Sequence, residues 1–412
     1  MISRAEAKKR ISDIVSNKNN VVKTGITLPI KRGQKFDVYR IPLELLVPNV
    51  MNDRITWKIR EYEADNNRKI SIESDVDVDY LYNTILGEHE NENKKTLEDL
   101  ARNGQQVDGV ITNDGIIIDG NRRATLLRVL FNGEASKYKK SVEDFRYFNA
   151  IVLPDDIDQK EIMALETMIQ IGTDEKVGYN RICLYIKVDN LLSAGYTHAQ
   201  IAEYMRLKNL SDVGSMKDTY DLMVKYLEAI GKPNHFTLLD GLEDQFLNTK
   251  NIFKKMDNGT YDARWDYTPA DVAEFKTVCF DYMRAKFEGK KYRDTLVGKP
   301  NKTNGVFIEK RVWDKFLQNH NNILDANDPE SEDDWKLLGK KGGKLDQNLN
   351  CAVKNLASVL NDKDVAKLIA DLKIKVDRID ELLEGMDEVN EEDINELKEL
   401  SKAIYKITAR YE

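Results

Sequence analysis

The chain has 412 residues, of which 41% are hydrophobic and 33% charged, and its net charge is −8. This composition suits a soluble globular protein of roughly two to three domains. The negative balance does not indicate nucleic-acid binding by itself, although it is compatible with a local basic face. No apolar run is long enough to span a bilayer, and the charged N-terminus lacks the apolar segment of a signal peptide. No membrane partner is therefore expected.

The cysteines indicate a cellular compartment. Cys183, Cys279 and Cys351 are isolated from one another, and the sequence contains no Cys-x-x-Cys pair. An odd number of scattered cysteines in a long chain is typical of a reducing environment, where disulfides do not form. The expected localisation is cytoplasmic.

The chain opens with a basic stretch. The first 35 residues contain nine Lys and Arg against two Asp and Glu. We predict a basic N-terminal arm over residues 1–36, with a short amphipathic helix over 3–16. This helix is expected to be solvated or disordered rather than part of a core.

Strands and helices alternate between residues 37 and 157, which predicts a mixed α/β domain. A polar, charged segment at about 55–93 interrupts this pattern and is interpreted as a partly helical insertion. Beyond it, a helix over 96–102 is expected to begin with a Thr-x-x-Asp capping box. Asn113-Asp114-Gly115 is a hairpin turn signal between two short β-branched strands. A further strand is predicted at 148–154.

The second of those hairpin strands leads into a distinctive loop. It ends in Asp119-Gly120, and a helical pattern begins at Asn121, a good N-cap residue. Free backbone N–H groups, the helix dipole and the guanidinium groups of Arg122 and Arg123 would meet at this point. The arrangement suits a phosphate chain or a carboxylate. The alternative is an ordinary turn whose arginines are solvated or paired with glutamate.

From residue 158 onward the pattern is almost entirely helical. Residues 158–235 contain two short helices around a turn, which fits a helix-turn-helix and equally fits a small helical bundle. For the DNA-binding alternative, the candidate contacts are Thr197, Gln200 and Lys217.

A second helical domain is predicted over 236–350. Residues 351–412 carry apolar residues at helical spacing with a break near 385–390, which predicts a helical hairpin or short coiled coil. Such a hairpin could form a homodimer or pack on the rest of the chain.

The predicted fold class is therefore α+β. A small mixed N-terminal domain comes first, a mostly helical region follows, and a helical hairpin ends the chain.

Several short segments occur in an informative order, and they are Ile41-Pro42, Pro48-Asn49, Asn52-Asp53-Arg54, Leu97-Glu98-Asp99-Leu100-Ala101, Gly109-Val110, Gly120-Asn121-Arg122-Arg123, Ala164-Leu165-Glu166 and Tyr196-Thr197-x-x-Gln200. In this order they resemble the nucleotide-binding domain of the ParB/sulfiredoxin superfamily and the helix-turn-helix that follows it. The resemblance covers about residues 37–230, and the insertion at 55–93 is foreign to it.

The resemblance implies a function. Proteins of this family bind a nucleoside triphosphate, typically CTP with Mg²⁺, and use it to close a clamp on DNA. By resemblance, Gly120, Asn121, Arg122 and Arg123 would hold the phosphates of CTP or ATP, and DNA would be the partner. Arg54 would approach the phosphates from the first motif. Glu166 would bind or position Mg²⁺.

Two departures from the family pattern affect the expected chemistry. The stretch Glu166-Thr167-Met168-Ile169-Gln170 lacks the arginine of the family's Glu-Asn-x-x-Arg. Asn121 replaces a glutamate, and it also stands where sulfiredoxins carry their cysteine. Both changes weaken the case for hydrolysis more than the case for binding, and sulfiredoxin activity is not expected.

Three functions remain open from the sequence. Asp-Gly-Asn-Arg-Arg resembles loops of ParB-like proteins from DNA-modification and phage-defence systems. The first function is accordingly a nucleotide-dependent DNA-binding protein, with slow NTPase activity as an option. The second is a DNA nuclease or restriction component that uses the arginine loop for backbone phosphates. The third is a regulatory or scaffold protein without catalytic activity.

Overall fold

A computed structural model describes residues 2–31, 33–171, 180–298, 305–361, 365–384 and 390–410. A six-stranded mixed sheet lies within the N-terminal part of the chain, and helices follow it. The predicted mixed α+β class is therefore confirmed. Across the described ranges, no helix is both long and apolar enough to cross a membrane.

Six strands form the sheet: β1 (Val21–Ile26), β2 (Phe36–Pro42), β3 (Val47–Pro48), β4 (Gly109–Ile111), β5 (Ile116–Asp119) and β6 (Tyr147–Val152). Six helices accompany it: α1 (Arg4–Ser16), α2 (Thr56–Asn66), α3 (Asp75–Gly87), α4 (Glu90–Asn103), α5 (Asn121–Phe131) and α6 (Gln159–Ile171). The remaining helices are α7 (Arg181–Ser193), α8 (His198–Tyr204), α9 (Leu210–Ala229), α10 (Glu243–Asp257), α11 (Pro269–Arg284), α12 (Gly289–Lys291), α13 (Lys310–Asn327), α14 (Glu332–Gly339), α15 (Lys344–Asn361), α16 (Val365–Glu384) and α17 (Glu391–Thr408).

The strand order is β1-β2-β6-β4-β5-β3. β2 and β6 are antiparallel, β6 and β4 are parallel, and β4 and β5 form the predicted antiparallel hairpin. β5 then pairs in parallel with β3. Because β5 lies near one edge of the sheet, the helix that follows it begins beside β3 and the loop before α2.

Side chains of β5 alternate between the two faces of the sheet, as expected for a strand. Ile117 packs in the core on the side of α4 and α5, whereas Ile118 packs with Leu165 of α6 on the other side. The sheet is thus covered by helices on both faces. This sandwich fixes the position of the turn between β5 and α5.

The N-terminal segment belongs to this domain. Ala7 and Ile11 of α1 are fully buried against the sheet, so the expectation of a solvated or disordered helix was wrong. β1 also comes from this segment and pairs with β2, so the sheet begins before residue 37. The apolar face of α1, which also includes Ile14 and Val15, lies between charged residues and is therefore easily missed in the sequence.

The insertion at 55–93 contains two folded helices and the start of a third. α2 and α3 share a small apolar core that includes Ile59 and Leu81. α2 also contacts the helical region, because Arg60 donates hydrogen bonds to Tyr220 (2.6 Å) and Asn190 (2.8 Å). The insertion therefore bridges the sheet domain and the helices that follow.

The two helices of the predicted helix-turn-helix pack around Ile201, Ala202 and Val213. Helix α9 begins at Leu210, where Asn209 and Asp212 form a capping box. Beyond α9, a large aromatic core joins the helices up to α15. The described residues between 236 and 350 form helices joined by loops.

Two long helices end the chain, as predicted. Every described side chain of α17 is at least partly exposed, and α16 exposes Leu368, Ile369 and Ile374. Ile379 and Leu383 of α16 line a shared apolar groove with α17. The break predicted near 385–390 lies mostly outside the described residues.

Candidate functional site

The turn between β5 and α5 requires glycine. Gly120 is the N-cap of α5 and has a φ of 95°, which lies in the left-handed region that residues other than glycine avoid. A Cβ at this position would lie 2.7 Å from Cζ of Phe148. No side chain caps the helix here, so the backbone N–H groups of its first turn remain open to a ligand.

A cleft of about 410 Å³ lies beside this turn. Its wall contains all five residues predicted to hold phosphate, which are Arg54, Gly120, Asn121, Arg122 and Arg123. Arg54 comes from the loop before α2, and the other four come from the start of α5. Asn52, Asp119 and Gln170 also line the cleft. The fold thus brings two distant segments of the predicted motif to one site.

The guanidinium group of Arg122 lines this cleft without a hydrogen-bond or ion-pair partner in the described part of the chain. Burial first, and the neighbouring Arg54 second, lower the pKa of Arg122, while Glu92 and Glu88 oppose the shift. Arginine nevertheless stays protonated in proteins. The cleft therefore holds neighbouring positive charges that a bound anion would stabilise.

The side chains of Arg123 and Asn121 hold the loop together. Arg123 forms an ion pair with Asp119 at 2.8 Å and donates to the carbonyl oxygen of Val107 at 2.9 Å. Asn121 is buried, donates to the carbonyl oxygen of Ile117 (2.9 Å) and accepts from the backbone N–H of Asn49 (3.1 Å). Both side chains thus support the turn, and both residues line the cleft.

Glu166 lies beneath the cleft in a buried charge network. The ammonium group of Lys187 lies 3.0 Å from a carboxylate oxygen of Asp53 and 3.4 Å from Oε2 of Glu166. Oε1 of Glu166 accepts hydrogen bonds from the side chains of Asn49 (3.3 Å) and Gln170 (3.1 Å). Lys187, Asp53 and Glu166 are each at most 2% exposed. We call these three residues the buried triad.

The triad contains two carboxyl groups and one ammonium group. Burial raises the pKa of Glu166 to about 8, against the opposing effect of Lys187, and the negative charge of Asp53 raises it further. The pKa of Lys187 is also raised, because its two acidic partners outweigh its burial. The ammonium group of Lys187 therefore stays charged, and the raised pKa of Glu166 favours its protonated form near neutral pH.

This arrangement does not fit a magnesium ion at Glu166. Both carboxyl oxygens already accept hydrogen bonds or pair with Lys187, whose ammonium group stands where a divalent cation would bind. Glu166 is also absent from the wall of the cleft. The role of Glu166 as a metal ligand stays a prediction, and in this structure its carboxyl group belongs to the buried triad.

Lys187 and Asp53 were not predicted as site residues. One signal was present, because Lys187 interrupts the apolar stretch Ile182-Cys183-Leu184-Tyr185-Ile186 and Val188 in α7. A lysine within such a stretch indicates a buried charge that needs an acidic partner. The acidic partner of Lys187 could not be predicted from the sequence, because Asp53 lies more than a hundred residues before it.

The three predicted DNA contacts lie outside the cleft. Thr197 and Gln200 form a capping box at the start of α8, with reciprocal bonds between side chain and backbone. Lys217 forms ion pairs with Asp221 and Asp189. Their polar groups thus have intramolecular partners, and helix capping accounts for the Thr-x-x-Gln pattern.

Comparison with known proteins does not identify the chain. No protein-family model matches the sequence, and no curated protein matches it. The arginine cleft is therefore the feature on which a function can be proposed.

Proposed function

We propose that the arginine cleft binds the phosphate chain of a nucleoside triphosphate, CTP or ATP, in a ParB-like nucleotide-dependent DNA-binding protein. The observation that carries the proposal is the guanidinium group of Arg122. It has no partner among the described residues, lies near Arg54, and belongs to the open first turn of α5. Anions bind at such helix N-termini because N–H groups and the helix dipole act together.

A phosphate chain fits this site better than a single carboxylate. One carboxylate is satisfied by one guanidinium fork. Two cationic side chains and a helix N-terminus in one cleft suit a ligand with several anionic groups in a row. The volume of about 410 Å³ also falls in the range of small-molecule sites.

The proposal covers binding and assigns no hydrolytic residue. Asp119 pairs with Arg123, and Asp53 and Glu166 both pair with Lys187. A nuclease or an NTPase that uses a metal ion needs carboxylates free to hold it. These pairings weigh against the nuclease alternative. Mg²⁺, where it accompanies the nucleotide, would be held by phosphate oxygens and water.

The test is a calorimetric titration of the full chain with CTP, ATP, GTP and inorganic triphosphate. We expect a triphosphate to bind with micromolar affinity and to raise the melting temperature. Arg122→Ala should weaken binding by about 10- to 100-fold, because a hydrogen bond to a charged group contributes about 1.5–3 kcal/mol. Arg102→Ala is the control, since it removes the same charge from an exposed site on α4.

Two results would contradict the proposal. If Arg122→Ala binds the triphosphate as tightly as the wild-type chain, the nucleotide site lies elsewhere. If none of the four ligands binds the wild-type chain, the cleft has another occupant and the scaffold alternative is favoured. Arg123→Ala is a poor test, because it also removes the ion pair with Asp119 and the hydrogen bond to the carbonyl oxygen of Val107.

We further propose that α8 and α9 form the DNA-binding part. Their support is the compact pair of helices itself and the exposed Arg206 and Lys208 between them. The double variant Arg206→Ala with Lys208→Ala should bind duplex DNA more weakly. The slope of log K against log salt concentration should also become less steep by about two, since each phosphate contact contributes about one. Lys340→Ala with Lys341→Ala is the matched control on a distant exposed turn. If both double variants bind duplex DNA with equal affinity and salt dependence, DNA binds to another part of the chain.

The partner proposed for the C-terminal hairpin is a second copy of this chain. Its apolar groove, lined by Leu382, Leu383 and Leu400, is open, and its charges are divided along its length. Glu381, Glu384 and 391–393 make the end near the turn acidic, whereas Lys402, Lys406 and Arg410 make the other end of α17 basic.

Two hairpins that pack in opposite directions would place acidic ends against basic ends. A chain that ends at residue 360 should therefore elute as a monomer with its core folded, while the full chain elutes as a dimer. A monomeric full chain, or a truncated chain that still dimerises, would contradict this part of the proposal.

A further inference from the structure

A cluster of side chains that can bind a metal ion lies between α2 and the loop after α9. Glu61 and Asp65 are four residues apart and therefore share one face of this helix. His235 approaches them from the loop after α9, and its Nε2 lies 3.0 Å from Oδ1 of Asp65. One ligand atom from each of the three residues lies within 4.8 Å of the others.

The hydrogen bonds of His235 determine what its ring can offer. Nδ1 lies 2.9 Å from the carbonyl oxygen of Pro233, which can only accept, so Nδ1 carries a proton. Nε2 then faces the carboxylate of Asp65 at 3.0 Å, and it is the ring atom through which the imidazole can bind a cation held between the two groups. A backbone carbonyl on Nδ1 is also the usual support of a histidine that ligates a metal through Nε2.

We propose that Glu61, Asp65 and His235 bind a divalent transition-metal ion of the zinc class. Two carboxylates and a neutral imidazole carry a charge of −2, which a divalent ion neutralises. Ligand atoms that share a zinc ion lie about 3–3.5 Å apart, so small side-chain rotations would close the cluster. The imidazole favours zinc over Mg²⁺, which prefers oxygen ligands.

The metal ion would join two parts of the chain. Glu61 and Asp65 belong to the insertion, whereas His235 precedes a short helix of the C-terminal helical region, where Thr237 donates to Glu61. The open face, on which Asp65 is exposed, leaves room for water as a fourth ligand. Binding should therefore stabilise the contact between α2 and the loop at 232–236.

The experiment is a titration of the full chain with ZnCl₂ after removal of metal by a chelator. It uses the Cys351→Ser background, because Cys351 is an exposed free thiol that could bind zinc itself. We expect one Zn²⁺ per chain, a higher melting temperature and weak or no binding of Mg²⁺. His235→Gln should weaken zinc binding by about 100-fold or more, since even outer-shell changes cost 10- to 100-fold.

His198→Gln is the matched control, because His198 is exposed at the start of α8 and away from the cluster. Asp65→Asn tests the carboxylate side of the site, and circular dichroism checks that each variant is folded. Equal zinc affinity of His235→Gln and His198→Gln would overturn the proposal. So would a wild-type chain that does not bind Zn²⁺ at 100 μM, about the weak limit of a useful site. Neither outcome bears on the nucleotide cleft.

Discussion

Replacement of Lys187 by methionine tests the buried triad most directly. Methionine nearly matches the length of lysine but cannot compensate the carboxyl groups of Asp53 and Glu166. Lys187 and Glu166 are each 1% exposed, so water does not replace the lost ammonium group. Removal of one partner from a buried ion pair costs about 3–5 kcal/mol. We expect the free energy of unfolding to fall by this amount at pH 7, measured by urea denaturation with circular dichroism.

The loss should depend on pH in a defined direction. Burial raises the pKa of Glu166 to about 8 even with Lys187 present, and removal of the ammonium group would raise the pKa of Glu166 further. The native state then binds more protons than the unfolded state above pH 4.5, so stability falls as pH rises. Each extra bound proton contributes a slope of about 1.4 kcal/mol per pH unit. Lys187→Met should thus be less destabilised at pH 5 than at pH 8.

A triple variant separates charge from packing. Lys187→Met with Asp53→Asn and Glu166→Gln retains the side-chain sizes and removes all three ionisable groups. It should recover most of the lost stability at pH 8 and show a flatter pH profile than Lys187→Met alone. A loss below 1 kcal/mol for Lys187→Met, or a loss independent of pH, would refute this account of the triad.

Two further predictions concern the loop and the insertion. Gly120→Ala should lower the free energy of unfolding by at least about 1–2 kcal/mol, because alanine is strained at a positive φ and its Cβ would approach Phe148; an unchanged melting temperature would contradict it. Asp77→Asn should cost about 2 kcal/mol at pH 7, since the buried carboxylate pairs with Arg68 through both oxygens and accepts from Ser71. Arg68 lowers the pKa of Asp77 to about 2, so this contribution is present above pH 3.8 and is lost as pH falls toward 2. Urea denaturation between pH 3 and 7 should show the two proteins converging in acid, and a constant difference would count against the pairing.

The sequence predicted the turn region well because its signals are local. Asn113-Asp114-Gly115 and the β-branched run beside it predicted the hairpin, and Gly120 predicted the start of α5. Both features are present, and Gly115 and Gly120 both have positive φ. Turn chemistry and strand length are decided within a few residues, so they can be read without knowledge of the fold.

A local capping pattern gave a wrong helix start where the pattern lies inside a longer helix. Thr96 was predicted to cap a helix, but α4 begins at Glu90 and the hydroxyl of Thr96 donates to the carbonyl oxygen of Glu92 within it. The same residue type serves as a cap or as an interior residue according to what precedes it. The helix begins earlier because residues 90–95 carry strong helix formers, which outweigh the polar character of the segment.

The role of Glu166 could not be predicted for a different reason. Whether a carboxylate faces a metal ion or a lysine depends on which element packs against it. α7 places Lys187 there, and Asp53 comes from the loop before α2. A sequence motif specifies residue types along one segment, whereas burial and pairing are decided between segments. The motif therefore could not indicate the pairing of Glu166 with Lys187, although the segment itself is helical as the motif implies.

The buried triad also connects the helical region to the cleft. Lys187 of α7 pairs with Glu166, Glu166 accepts from the side chain of Asn49, and the backbone N–H of Asn49 donates to Oδ1 of Asn121, the first residue of α5. These groups are buried, so a displacement of α7 relative to the cleft would leave at least one of them without a partner. An anion that tightens the α5 turn would therefore favour the same position of α7 that the triad requires. By linkage, a change that favours a different position of α7 should weaken anion binding. Lys187→Met is thus expected to lower triphosphate affinity, even though Lys187 does not line the cleft.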